Sequence, residues 1–138
     1  MEGLEALKSI CVDTDVLVDY LRGREPGKTT FNNWRKKAEI YTTSVTMFEL
    51  LLGAHISSKR QERINEVQSL LDQCGLLLFD RGSAEKAAEK GAELRLKGHT
   101  LDVRDLLNAS ICLSKSMPIL TKNRAHYERV SGLAILTP

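Results

Sequence analysis

Apolar residues along this chain fall into short solid runs, separated by longer stretches in which they recur every three or four positions. Ile10-Cys11-Val12 is such a run, ends on Asp13, and reads as a strand buried on both faces. Val16, Leu17, Tyr20 and Leu21 then recur at helical spacing over residues 15–21, with Gly23 and Pro26 to stop them. A second helix, rich in Arg and Lys, is expected over 29–38, and Ile40-Tyr41-Thr42-Thr43 has the β-branched and aromatic content of a strand. Ser44 or Thr46 is the expected cap of a helix running through Glu49 to Gly53. Ile64, Val67, Leu70 and Leu71 mark one helical face over 57–74, closed by Gly75. Leu76-Leu77-Leu78-Phe79 is another apolar run, and Asp80 at its end is expected to cap the next helix, 83–97, which Gly98 terminates. A helix over 104–116 and strands at 118–121 and 133–136 complete the pattern. Strands of this kind alternating with helices predict an α/β fold: a parallel sheet of four or five strands flanked by helices on both faces.

The chain has 138 residues, 42 % of them hydrophobic and 28 % charged, which suits one soluble globular domain over 1–138 with residues 1–8 as a short N-terminal extension. Twenty Lys and Arg stand against eighteen acids, so the net charge of +2 announces no partner. No apolar run approaches the roughly 18 residues of a membrane span. The start, Met1-Glu2-Gly3-Leu4-Glu5, lacks the basic and apolar stretches of a secretory signal, so a cytoplasmic protein with no membrane contact is expected. Cys11, Cys74 and Cys112 are scattered without a Cys-x-x-Cys pair and read as core residues of a reducing compartment. His55, His99 and His126 are isolated, and neither a zinc spacing, a phosphate-binding Gly loop nor a nucleophile elbow is present. No organic cofactor is expected.

Function in such folds sits outside the carboxyl ends of the strands. Asp13 ends the first strand, Glu49 lies in the helix after the second, Asp102 and Asp105 open the helix near Arg104, and Asn123 follows the strand ending at Thr121. A parallel sheet brings such positions to one edge. Gathered carboxylates repel unless a cation offsets them, and Mg²⁺ or Mn²⁺ is the natural guest of hard oxygen ligands. Such an ion polarises a phosphoryl oxygen and acidifies a water, which a remaining carboxylate can orient. Residues 20–37 carry Arg22, Arg24, Lys28, Arg35, Lys36 and Lys37 against Glu25, a local charge of +5. That density suits a phosphate backbone. Phe31 and Trp34 lie among these cations and fit the apolar face of a helix better than a base-stacking platform.

These residues resemble the motifs of PIN-domain ribonucleases, in particular the VapC-type toxins of prokaryotic toxin–antitoxin pairs. Ile10 to Gly23 resembles their opening segment, Thr43 to Ala54 their second block, and Asp105-Leu106-Leu107-Asn108-Ala109-Ser110-Ile111 the third. Leu120-Thr121-Lys122-Asn123, with Tyr127 and Gly132-Leu133, resembles the C-terminal block, so the likeness runs in order from residue 10 to 136. It implies a single PIN-like domain acting as a Mg²⁺- or Mn²⁺-dependent endoribonuclease on tRNA or rRNA. The implied metal ligands are Asp13, Asp105 and Glu49, with Asn123 and Asp102 assisting catalysis. It also implies a homodimer and inhibition by a cognate VapB-like antitoxin. Arg22, Lys122 and Arg124 are the cations expected to contact RNA or antitoxin acids. Two departures stand out: Asn123 is neutral where many PIN domains have Asp, and Asp15 is acidic where Asn is common. Asp102 is ranked above Asp15 as the supplementary acid. Two alternatives remain at this stage. Asp13-Thr14-Asp15 also fits a haloacid-dehalogenase-like phosphohydrolase with Asp13 as nucleophile, and a PIN-fold module lacking turnover would bind RNA or protein only.

Overall fold

The computed structural model describes residues 8–138; the expected N-terminal extension therefore lies outside the described residues, apart from Lys8. Strands β1 (Ser9–Val12), β2 (Glu39–Thr43), β3 (Gly75–Leu77), β4 (Ile119–Leu120) and β5 (Ile135–Leu136) form one parallel sheet in the order β3-β2-β1-β4-β5. Helices α1 (Thr14–Arg22), α2 (Gly27–Trp34), α3 (Ser44–Ile56) and α4 (Arg60–Leu71) precede β3. Helices α5 (Arg81–Leu96), α6 (Val103–Ser114) and α7 (Arg124–Tyr127) follow it.

Alternation along β1 divides the core. Ile10 and Val12 pack with Val16, Leu17, Phe31, Leu50 and Val67, so α1 to α4 cover one face. Cys11 points the other way, with Leu94, Ile111, Cys112, Ile119 and Tyr127 from the later elements. Both faces of β1 are thus filled, as a central parallel strand requires. Phe31 is buried and Trp34 packs against the same core, so the aromatic residues of the basic segment serve packing. Cys11 and Cys112 are buried as well, and contact with the Cys112 thiol, then burial, pushes the Cys11 thiol up, which suits inert core residues.

Several boundaries differ from expectation. Thr43, the last residue of β2, caps α3 by accepting a hydrogen bond from the Thr46 amide at 3.0 Å; neither Ser44 nor Thr46 does so. The second helix spans Gly27–Trp34 rather than 29–38, and Arg35 to Lys37 form turns. The 57–74 helix is shorter, Arg60–Leu71, because Ser57 is extended and separates it from α3. The apolar run 76–79 contributes only as far as Leu77 to a strand, and Leu76, Leu78 and Phe79 are exposed. Asp80 caps α5 as expected, accepting from the Ser83 amide at 3.0 Å.

The strand order sets the place of the site. From β1 the chain steps to β2 and β3 on one side, then returns to β4 and β5 on the other. The order therefore reverses between β1 and β4, and the crevice beyond their carboxyl ends is where open α/β sheets bind ligands.

Candidate active site

Asp13 leaves β1 at this crevice and caps α1, accepting from the Thr14 amide at 2.9 Å through Oδ1. Its backbone amide donates to Leu120 at the end of β4, which fixes it beside Thr121. The Thr121 hydroxyl donates to Asp13 Oδ2 at 2.8 Å, and the Tyr127 hydroxyl stands 3.2 Å from Asp13 Oδ1. That same Tyr127 oxygen is 3.3 Å from Asp105 Oδ1 in the first turn of α6. Burial chiefly, then the Asp15 charge, raises the Asp13 pKa from 3.8 to about 7 against the hydrogen bonds from Thr121 and Thr14. Tyr127 is pushed up strongly by burial and by both carboxylates, so its phenol stays protonated and donates.

Glu49 reaches this centre through intermediaries. The Thr14 hydroxyl donates to Glu49 Oε1 at 3.0 Å, and Arg104 pairs with Glu49 Oε2 at 3.3 Å. Asp102 lies on the exposed rim as the cap of α6, with its carboxyl held low by the Arg104 amide and guanidinium. Asn123 is exposed at the cap position of α7, where its side chain makes no capping hydrogen bond; its amide donates to the Thr121 hydroxyl. Asp15, ranked below Asp102 from the sequence, is the acid set beside Asp13. Its Oδ2 accepts from the Lys122 amide at 3.0 Å and lies 3.3 Å from the Thr121 hydroxyl oxygen, while Oδ1 is buried without a partner.

The three cations expected at the site have different surroundings. Arg22 is exposed and, with Arg24 and Arg63, lines a groove of about 490 Å³ between α1, α3 and α4 that also contains Glu49. Arg124 sits one turn from Glu128, at 3.7 Å. Lys122 pairs at 2.9 Å with Asp19, a buried acid of α1 that also accepts from the Gly27 amide. Lys122→Met should therefore lower stability by about 1–3 kcal/mol, because it strands a buried carboxylate. Urea unfolding checks this, and a midpoint equal to the parent's would place Lys122 free of a structural role.

Sequence reasoning passed over the hydroxyl and amide groups that organise these acids. Thr14 and Thr121 each adjoin a strand end, and that adjacency was the available signal. Tyr127 stands in the C-terminal block of the resemblance, but 114 positions separate it from Asp13 and no local pattern ties its hydroxyl to the acids. Asn108 is buried, accepts a hydrogen bond from the Thr43 hydroxyl and lies beside the Tyr127 phenol. Arg104, a helix boundary by sequence pattern, is the cation against Glu49.

Among the described residues, no three His, Cys, Asp or Glu side chains converge into a ready-made cage. The donor set nonetheless fits a hard divalent ion of the magnesium type, which takes one or two carboxylates and keeps waters. A buried and a half-buried carboxylate share one hydroxyl, Asp13 is crowded upward toward neutrality, and an unpartnered Asp15 oxygen lies in the same cluster. Each of these is relieved by positive charge.

The sequence profile of the PIN domain matches residues 10–133. The chain belongs to the PIN-domain family. Relatives include the tRNA(fMet)-specific endonuclease VapC of Shigella flexneri, 24 % identical over 123 residues, which cover 88 % of this chain and 92 % of that one. Ribonuclease VapC of Rickettsia bellii is 27 % identical over 131 residues, 93 % of this chain and 95 % of its own. Among solved structures, VapBC2 from Rickettsia felis bound to a DNA fragment from the promoter superposes with a TM-score of 0.86 at 20 % identity, covering 94 % of this chain and 98 % of that one. The DNA-bound VapBC from Salmonella typhimurium gives 0.84 at 24 % identity, covering 95 % and 98 %. These likenesses establish the PIN fold. With the family match they set aside the haloacid-dehalogenase alternative.

Proposed function

We propose that this PIN-domain protein is a divalent-metal-dependent endoribonuclease and the toxin of a VapBC-type toxin–antitoxin pair. The observation that carries the reading is the pairing of Asp13 and Asp105 through one buried hydroxyl at the strand-order reversal. Relatives that match this chain along most of its length bear ribonuclease names, which supports the same chemistry.

Asp13 and Asp105 would hold Mg²⁺ or Mn²⁺ as principal ligands, with Glu49 as a further ligand or partner of the attacking water. When bound, the ion supplies positive charge against the phosphoryl oxygens and acidifies a water. Thr14 and Arg104 hold the two Glu49 oxygens, and the carboxylate so fixed would accept a proton from the attacking water. Asn123 and Asp102, both exposed at the mouth, assist by hydrogen bonding to substrate or solvent. Arg22 and Arg124 offer the incoming phosphate backbone charge. Lys122 contributes as far as Asp19 leaves its ammonium available.

The substrate is structured RNA of the tRNA or rRNA class. A VapB-like antitoxin would block the site, and a second copy of the chain would cover Phe48 and Leu52, exposed one turn apart on α3. No helix among the described residues is long and apolar enough to cross a membrane, in keeping with action on cytoplasmic RNA.

The deciding experiment incubates antitoxin-free, folded protein with a mixed tRNA and rRNA pool in Mn²⁺, Mg²⁺ or EDTA. Discrete fragments in metal and intact RNA in EDTA are expected. Intact RNA under every condition would replace the nuclease with a PIN-fold binding module.

A further inference from the structure

The two principal acids are joined by a group that the roles above leave unused. Tyr127 lies on α7 with its ring wholly buried among the residues packed beneath α5 and α6. Its hydroxyl stands 3.2 Å from Asp13 Oδ1 and 3.3 Å from Asp105 Oδ1. Asn108 on α6 lies beside this hydroxyl and is itself held by Thr43 at the end of β2. The phenol is therefore fixed from behind, on a ring that has no room to turn away.

A carboxylate oxygen has two acceptor positions. On Asp13, the Thr14 amide and the Tyr127 hydroxyl take both positions of Oδ1, while Thr121 takes one of Oδ2 and leaves the other open. On Asp105, Oδ1 faces Tyr127 and Oδ2 faces the exposed imidazole of His126 at 3.3 Å. One phenolic hydrogen thus stands between two like charges from different elements, which would otherwise push apart.

We propose that Tyr127 is a positioning residue that yokes Asp13 to Asp105, so that their remaining acceptor positions face one divalent cation together. The proposal rests on the reading that these two acids hold the ion. A carboxylate ligand that loses its outer hydrogen-bond partner typically loses about 10–100-fold in metal affinity. Tyr127→Phe removes the hydroxyl and keeps the buried ring.

The test titrates Mn²⁺ into the full chain without RNA, following free Mn²⁺ by electron paramagnetic resonance, for the parent, Y127F, D13N and D105N. Y127F should bind Mn²⁺ about 10–100-fold more weakly than the parent. The half-saturating Mn²⁺ for RNA cleavage should shift in the same proportion, with the rate at saturating metal retained. D13N and D105N should each abolish Mn²⁺ binding, so that the signal reports the site built on these two acids. An unshifted Y127F affinity, with D13N abolishing binding, overturns the yoke and leaves the metal site standing. A parent chain that binds no Mn²⁺ overturns both.

Discussion

Asp13→Asn protein is expected to leave RNA intact where the parent chain cuts it, while resisting urea better than the parent at pH 8. The two effects share a cause. The Asp13 carboxylate is buried, crowded by Asp15 and Asp105, and costly to ionise in the absence of a cation. An asparagine keeps an acceptor for the Thr14 amide, caps α1 well, and carries no charge. The fold gains what the site loses. Removing a charged ligand that costs about 4 kcal/mol of transition-state stabilisation slows cleavage about 10³-fold. Asp105→Asn should lose activity to a similar degree, with a smaller change in stability because Asp105 is only half-buried. Cleavage of the RNA pool and urea midpoints at pH 8 check both variants. An Asp13→Asn chain that unfolds more easily than the parent would make Asp13 a structural acid and remove the basis of the metal site.

Legibility in the sequence followed the range of the interaction. The sheet and its helices were readable because each depends on the identity of a few neighbouring residues, and Asp80 capped its helix for the same local reason. Thr42-Thr43-Ser44-Val45-Thr46 offered four hydroxyls of nearly equal capping propensity, and only the extended backbone at Thr43 selected that residue. The break between α3 and α4 falls at Ser57 with no Gly or Pro beside it, so α3 runs past Gly53 and the expected 57–74 helix begins only at Arg60. At the site, the acids were visible as residue types at strand ends. Their partners were not, because Tyr127 meets Asp13 across 114 positions and Thr121 meets it across 108. The different surroundings of Asp102 and Asp15 were out of reach for the same reason. Helical spacing set Asp102 one turn from Asp105, but the long-range hydrogen bond from the Lys122 amide draws Asp15 inward, while Arg104 keeps Asp102 on the rim.

The metal-free parent should lose stability as pH rises from about 4 to about 7, relative to Asp13→Asn, and divalent metal should reverse the loss. Below the ordinary Asp pKa of 3.8 the carboxyl is protonated in both folded and unfolded chains and contributes nothing to the difference. Between 3.8 and about 7 the folded chain keeps a proton that the unfolded chain releases, so unfolding gives up a proton and becomes easier with each step in pH. Above about 7 both states are ionised and the difference is constant. At about 1.4 kcal/mol per pH unit, the span from 3.8 to about 7 amounts to about 4 kcal/mol. Asp80 is held low by the Ser83 amide and Lys115 and acts with the opposite sign, but it is present in both chains and cancels in the comparison. A cation bound to the ionised carboxylate lowers the folded-state pKa and adds about 2.7 kcal/mol at a concentration 100 times its dissociation constant. Urea midpoints for the two chains at pH 4.5, 6 and 8, each with Mn²⁺ and with EDTA, measure both terms. Curves for parent and Asp13→Asn that run parallel in EDTA would mean that Asp13 ionises freely, and the crowding that invites a cation would be gone.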